Sequence, residues 1–357
     1  MTARDLGLLG KGKHKAQPKL RMIANGSAPV NTVRAEQCAS VAVDAADLLA
    51  ETPHVRSEGD TPVRRRQLPR GTVRGKLAAI PSDISVSAFV HTNVAGIMPA
   101  VELESQVQKG NLMTATFPIS RLPYVLEDPA VSWVELGEPI VVPRPEVTTA
   151  GVRPPSPALR EVGDRTLHGG GSGVLVGIID VQGFDFSHPD FLDATGKTRW
   201  ERIWDQGGDA RPSPQPGGSF NYGSEFRKSH LDAALAAAPA LGVPAYEIER
   251  QSQLADSSHG THVASIAAGN LGICREAKLA GVLIALPAED LDPRKSFYDS
   301  TRIAHAVDYL LNVAHELGDI PIAINISLGT NGHAHDGSAA ICRWIDSSLS
   351  VPGRAVC

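Results

Sequence analysis

The sequence is poor in cysteine and has no long apolar run. Its cysteines stand far apart, without CxxC spacing, at Cys38, Cys274, Cys342 and Cys357. That spacing argues against a zinc site and against a dense disulfide framework, and reduced thiols favour a cytoplasmic protein. No segment reaches the roughly 20 apolar residues that a membrane-spanning helix needs, and the basic N-terminus leads into no apolar signal region. We therefore expect a cytoplasmic chain without a membrane partner.

A strong excess of charge of either sign is also missing. The formal net charge is −5, from 34 Lys and Arg against 39 Asp and Glu, which is not the global signature of a nucleic-acid-binding protein. Hydrophobic residues make up 42% of the chain and charged residues 20%, an ordinary balance for a globular protein. At 357 residues, the chain has ample material for a buried core.

Composition and periodicity divide the chain into four parts. Residues 1–72 are polar and rich in Lys, Arg, Pro, Ser and Gly, and we predict that they are largely disordered, apart from one short helix within 37–51. Residues 73–142 hold three strand-like runs and one helical turn, which predicts a small α+β unit. Closely spaced prolines then predict an extended linker over 143–168.

The fourth part, residues 169–357, has the pattern of an α/β domain. Apolar runs at 174–179, 277–286 and 320–326 alternate with helical segments that begin near His262 and near Ser300. A continuous apolar run is typical of a strand that is covered on both faces. Strands that alternate with helices predict a parallel sheet with right-handed crossovers.

Three segments of this domain contain residues suited to catalysis or binding. In the first, Asp180 ends an apolar strand and His188-Pro189-Asp190-Phe191 follows; open α/β sheets place functional groups at such strand ends. The second, His259-Gly260-Thr261-His262-Val263-Ala264, puts an imidazole at the start of a small-residue helix. The third, Asn325-Ile326-Ser327-Leu328-Gly329, is a strand end whose backbone can pair with an extended peptide. Each segment alone also fits a turn cap, a lone histidine or a core strand.

In this order, the three segments resemble the Asp, His and Asn-x-Ser-Leu-Gly blocks of the subtilisin-like serine peptidases, over about residues 170–350. The resemblance implies that Asp180 orients and supports His259, and that His259 is the general base and acid for a serine nucleophile. It also implies that Ser327, Leu328 and Gly329 line the cleft and bind a polypeptide substrate in extended conformation. The implied fold is a parallel-sheet catalytic domain, preceded by a prodomain-like unit over 73–142.

The sequence departs from the pattern of that family at three places. Val181 and Gln182 separate Asp180 from Gly183, one residue more than the commonest family spacing. The long interval before His259 predicts an insertion at the cleft rim, in which Trp200 and Trp204 are packing anchors. The Gly-Thr-Ser-x-Ala motif of the nucleophile is absent from the 357 residues, and Ala-Gly-Asn occurs only at 268–270, where the oxyanion Asn is not expected. We therefore expect a catalytic domain that is incomplete at its C-terminus and inactive alone, with a missing or separately encoded C-terminal portion as its partner.

Two other functions stay open on the sequence alone. One is a non-catalytic pseudo-peptidase that binds extended peptides through residues 327–329. The other is a metal hydrolase that uses His259, His262 and Asp180, although H-x-x-H is one residue short of the zincin spacing and no Glu is adjacent. We expect no cofactor; the resemblance allows calcium, which is common in the family, but the sequence assigns no ligand set to it.

Overall fold

The computed structural model describes residues 11–24, 85–101, 103–138, 140, 167–253, 258–284, 300–328 and 336–357. The helix expected within 37–51, nearly all of the linker expected over 143–168, and Gly329 lie outside these residues. The described residues form an α+β unit with an antiparallel sheet and a larger α/β domain.

The N-terminal part of the α+β unit comes from residues 11–24. A 3-10 turn (Lys11–Lys15) and helix α1 (Pro18–Ala24) pack on the sheet of this unit, and Ala16 forms a parallel bridge to Val134. Ala16 and Leu20 are fully buried in the core of the unit. This differs from the disorder that composition predicts through residue 72, because two apolar residues among lysines are enough to anchor the segment.

The sheet of the α+β unit has four strands in the order β2-β3-β1-β4. Its elements are β1 (Ser85–Thr92), β2 (Glu104–Lys109), β3 (Leu112–Pro118), helix α2 (Leu122–Glu127) and β4 (Val131–Leu136). Alternate residues point to opposite faces: Val86, Ala88 and Val90 enter the core of the unit itself. Phe89, from the opposite face of β1, joins a core shared with the α/β domain.

The α/β domain contains a six-stranded sheet in the order β10-β9-β5-β8-β6-β7. Its strands are β5 (Leu175–Asp180), β6 (Trp200–Asp205), β7 (Ser224–Arg227), β8 (Lys278–Leu283), β9 (Ile322–Ile326) and β10 (Arg354–Val356). Its helices are α3 (Lys228–Leu241), α4 (Ala245–Ile248), α5 (His259–Ala268), α6 (Ser300–Glu316) and α7 (Ala340–Ser348). All strand pairs are parallel except β6 with β7, so the prediction of an α/β fold is confirmed.

The interval between Asp180 and His259 is part of the sheet rather than only an insertion at the cleft rim. Strand β6 pairs in parallel with β8, and β7 pairs antiparallel at the edge. Trp200 and Trp204 are fully buried, as expected of packing anchors. Glu201 and Arg202 interrupt the apolar run, which is why the segment does not have the sequence pattern of a buried parallel strand.

The α+β unit docks its sheet on helices α6 and α7 of the α/β domain. The ring of Phe89 lies 6.1 Å from that of Trp344, which is fully buried. Lys109 forms an ion pair with Asp308 and lies 5.7 Å from the ring centre of Trp344. The N–H of Ala340 donates to Glu135 Oε1 at 3.0 Å. The interface therefore combines an aromatic centre with charged and polar contacts around it.

Candidate active site

Asp180 lies at the carboxyl end of β5, the strand at the centre of the sheet. Every residue of β5 is buried, and the exposed fraction of Asp180 is 0%. Gly177 lets helix α6 approach this strand, because a Cβ there would lie 2.9 Å from Leu310 Cδ1. Oδ1 of Asp180 accepts the N–H groups of Val181 at 2.8 Å and of Gln182 at 2.9 Å. The carboxylate is thus held in one orientation, with Oδ2 turned to a different partner.

That partner is His259, the first residue of α5. Its Nδ1 lies 2.7 Å from Oδ2 of Asp180. Because a carboxylate only accepts, this contact assigns the proton to Nδ1 and leaves Nε2 as the basic nitrogen. The side chain of His259 is 39% exposed, whereas that of Asp180 is inaccessible. A buried acceptor behind an accessible imidazole is the geometry in which histidine moves protons for a bound reactant.

Close packing explains the residues that surround His259 in the sequence. A Cβ at Gly260 would collide with the carbonyl oxygen of Gln182 and lie 2.9 Å from that of Gly183. The hydroxyl of Ser258 donates to the carbonyl of Gly183 at 2.6 Å, and its Oγ lies 2.6 Å from Oγ1 of Thr261. The start of α5 is therefore fastened to the turn after β5, and only glycine fits at the point of closest approach.

Asp190, from the first sequence segment, holds the opposite end of α5. Its Oδ2 accepts from Ser265 Oγ at 2.5 Å, and its Oδ1 accepts from the N–H of Leu271 at 3.1 Å. The Arg199 guanidinium donates to the carbonyl of Ala268, the last residue of the helix. Burial lowers the pKa of Arg199, with the charges of Asp190 and Glu276 opposing that shift. This part of the motif positions the helix and does not touch the Asp180–His259 pair.

Two glutamines to which the sequence analysis assigned no role complete the site. The side-chain oxygen of Gln182 accepts the backbone N–H of His259 at 2.7 Å. Gln251, which is buried, accepts the N–H of Phe184 at 2.9 Å and donates to its carbonyl at 2.7 Å. The extra residue after Asp180 was visible in the sequence as a spacing anomaly, whereas Gln251 gave no signal because its partner is 67 residues away.

A buried carboxylate supports the segment that contains Gln251. Asp205, at the end of β6, accepts from the hydroxyl of Ser252 at 2.7 Å and from the N–H of Gly207 at 3.0 Å. Burial raises the pKa of Asp205, and its hydrogen bonds, including those from Ser252, oppose that shift. The carbonyl of Gln253, next in the chain, accepts the N–H of Gly183 at 2.7 Å. Residues 251–253 thus connect the end of β6 to the turn after Asp180.

The third sequence segment lies beside Asp180. Strands β5 and β9 are parallel neighbours, and Ile179 is paired with Ile326, so Ser327 follows at the same sheet edge as Asp180. The Ser327 N–H lies 3.4 Å from the carbonyl of Ile179, and its Oγ accepts from Asn325 Nδ2 at 2.6 Å. Leu328 packs partly buried against the core. The peptide-binding role expected for these residues and for Gly329 stays a prediction.

The residues of the metal-hydrolase alternative do not come together as a ligand set. His262 is exposed on α5, while Asp180 is buried behind His259. In the part of the chain that the structure describes, no group of three or more His, Cys, Asp or Glu residues is placed to hold a metal ion. None of the helices in the same part is long and apolar enough to cross a membrane.

Comparison with known proteins places this geometry in context. The model of the subtilase family, Peptidase_S8, matches residues 171–350, the part of the chain that contains Asp180, His259 and Ser327. Among solved structures, the chain is similar to the CspB protease of Clostridium perfringens, with 28% identity over 52% of this chain and a TM-score of 0.41. The match covers 35% of that protein, so the chain spans about a third of its length. No curated protein matches the chain.

Proposed function

Because this chain belongs to the subtilase family, we propose that its α/β domain supplies the Asp–His pair of a serine endopeptidase. The observation that carries the proposal is the 2.7 Å contact between buried Asp180 and accessible His259. In the proposed reaction, His259 Nε2 takes the proton of a serine hydroxyl as the oxygen attacks a peptide carbonyl. The same nitrogen then gives the proton to the leaving amine, while Asp180 holds the ring and stabilises the imidazolium.

The nucleophile of this reaction is proposed to come from outside the 357 residues. They contain no Gly-Thr-Ser-x-Ala motif, and their Ala-Gly-Asn closes α5 instead of following a later strand. Loss of the serine removes the covalent step, and loss of an oxyanion donor removes roughly 3 kcal/mol of transition-state stabilisation. The chain alone is therefore expected to be inactive, and its proposed partner is a C-terminal portion, continuous or separately encoded, that supplies the serine.

The substrate is proposed to be a polypeptide in extended conformation. Ser327 and Leu328 follow β9 at the sheet edge that also holds Asp180. The backbone of the residues that follow β9 can pair with an extended peptide, whose main-chain hydrogen bonds then supply affinity. The three free cysteines of the described residues fit a reducing, cytoplasmic setting.

The α+β unit is proposed to act as a prodomain. Its sheet covers α6 and α7, and the backbone of Glu138, near its end, exchanges hydrogen bonds with Ser300 at the start of α6. Parallel sheets fold slowly because their contacts are distant in sequence. A unit that is docked on two crossover helices can stabilise them while the sheet forms.

A comparison of two proteins tests the proposal: the 357-residue chain, and a chain extended through whatever Ser-containing motif the coding sequence encodes downstream. Hydrolysis of a quenched fluorescent casein is expected only for the extended chain, and His259→Ala in that chain should abolish it. Turnover by the 357-residue chain would contradict the proposal.

The absent motif also favours the pseudo-peptidase alternative. If no downstream or neighbouring reading frame encodes the serine, and the chain binds peptides without cleaving them, the alternative replaces the peptidase proposal.

A further inference from the structure

We propose that Gln182 is a positioning residue. It holds the imidazole of His259 against the carboxylate of Asp180 through a closed ring of hydrogen bonds. The catalytic meaning of this role rests on the proposed function, but the ring itself is a property of this chain. Gln182 belongs to the one-residue departure from the commonest family spacing, which is why no family motif assigns it a role.

The ring has three members and is closed by three contacts. The N–H of Gln182 donates to Asp180 Oδ1 at 2.9 Å, and the side-chain Oε1 of Gln182 accepts the N–H of His259 at 2.7 Å. His259 Nδ1 then returns to Asp180 Oδ2 at 2.7 Å. Gln182 therefore touches both members of the pair, one through its backbone and the other through its side chain. Displacement of His259 relative to Asp180 must break one of these contacts.

The start of α5 explains why the side chain of Gln182 is needed. The first N–H groups of a helix have no partner within the helix, and a Ser at the N-cap commonly supplies one. Ser258 stands at the N-cap but makes no such bond, because its hydroxyl contacts Gly183 and Thr261. Gln182 supplies the acceptor from another segment, so the cap of the helix and the alignment of the imidazole depend on the same side chain.

Removal of the side chain should loosen the imidazole without unfolding the domain. In Gln182→Ala the backbone contact to Asp180 remains, and so do the contacts of Ser258. His259 then keeps the contact between its Nδ1 and Asp180 but loses the hydrogen bond from its backbone N–H to the Gln182 side chain. If the lost hydrogen bond is worth about 1 kcal/mol, the open state of the Asp180–His259 contact becomes about fivefold more populated.

The test is NMR of the 15N-labelled 357-residue chain, with solvent exchange of the His259 Nδ1–H as the readout. This measurement needs no turnover, so its result is independent of whether the chain belongs to a working peptidase. Gln182→Glu keeps an acceptor oxygen at the same reach and should retain slow exchange. Gln253→Ala is the matched control, because that side chain is exposed and only the backbone carbonyl of Gln253 contacts the site.

The expected result is about fivefold faster exchange in Gln182→Ala and wild-type exchange in Gln182→Glu and Gln253→Ala. Unchanged exchange in Gln182→Ala would overturn the proposal. Equal acceleration in Gln182→Ala and Gln182→Glu would overturn it as well, because the acceptor oxygen would then not be what holds His259. Acceleration in Gln253→Ala would show a general loosening of the loop and would have the same consequence.

Discussion

Acidification should weaken the docking of the α+β unit on the α/β domain, because two histidines are buried at their interface. His305 of α6 is 4% exposed; its Nε2 lies 2.7 Å from Thr114 Oγ1 of β3, and its Nδ1 lies 2.7 Å from the hydroxyl of Tyr222. Burial, together with the charge of Arg302, lowers the pKa of His305 to about 3. The docked state therefore holds this imidazole neutral.

His91 of β1 adds to the same effect from the other side of the interface. It is 7% exposed, its Nδ1 lies 3.2 Å from Arg343 Nη1 of α7, and its Nε2 has no hydrogen-bond partner among the described residues. Burial and the neighbouring Arg343 charge lower its pKa to about 4. Protonation of either ring would place a cation beside an arginine in a buried contact.

The sign and size of the effect follow from the two protonation states. At pH 7.5 both histidines are almost entirely neutral whether docked or solvated, so they contribute almost nothing to the free energy of docking. As the pH falls below about 6.5, the solvated rings bind protons and the docked rings do not, so docking loses free energy. At pH 5, which lies about 1.5 units below the solvated pKa of about 6.5, docking has lost about 2 kcal/mol for each ring. Each pH unit contributes about 1.36 kcal/mol to this loss. The figure does not depend on the exact docked pKa as long as that pKa lies well below 5.

Buried carboxylates act in the opposite direction. Burial raises the pKa of Asp308 and of Asp205, although Lys109 opposes the shift of Asp308. Their protonation in acid relieves the cost of burying a charge. The pH dependence of the free energy of unfolding is therefore the sum of a destabilising histidine contribution and a stabilising carboxylate contribution. A substitution that removes one buried histidine and leaves the carboxylates unchanged isolates the histidine contribution.

The assay compares the free energy of unfolding in urea at pH 7.5 and pH 5.0 for wild type and His305→Gln, and hydrogen exchange of β1–β4 locates the change. The variant should lose about 2 kcal/mol less than wild type on acidification. His262→Gln, which removes an exposed histidine, should behave as wild type. An equal loss in wild type and His305→Gln would refute the reasoning.

Two further predictions concern packing. Trp344→Ala removes a fully buried ring that contacts Phe89 across the interface, and should lower the free energy of unfolding by about 3–5 kcal/mol; a loss below about 1 kcal/mol would contradict the docked arrangement. Gly260→Ala puts a methyl group against the carbonyl oxygens of Gln182 and Gly183, and should cost about 1–3 kcal/mol in thermal or urea unfolding and disturb the NMR signals of His259. A wild-type spectrum for Gly260→Ala would show that the approach at this point is not tight.

Much of the α/β domain could be predicted from local sequence. Asp180 ends an apolar run whose strand character is unambiguous, and the small residues after His259 indicate a helix packed closely on a sheet. The confirmed order of strands and helices then puts Asp180 and Ser327 at one sheet edge, since parallel strands have their carboxyl ends together.

The remaining features depend on contacts between residues that are distant in sequence. The role of Gln182 depends on a helix that begins 77 residues later. Strand β6 carries two charged residues that form ion pairs with distant partners, Arg202 with Glu225 and Glu201 with Lys278. Because of these charges, the sequence of β6 lacks the continuous apolar run that is typical of a buried parallel strand. Leu20 is buried because it joins the core of the α+β unit, whose other buried residues, apart from Ala16, come from 86–136. Such burial has no local signature.

The most direct test of the central claim is the kcat/KM of the extended chain for a peptide substrate, compared between wild type and Asp180→Asn. The asparagine keeps the size of the side chain but no longer offers a carboxylate to His259 Nδ1, so kcat should fall roughly 10⁴-fold with little change in KM. Activity within tenfold of wild type would contradict the assignment of Asp180 and His259 as the proton-transfer pair.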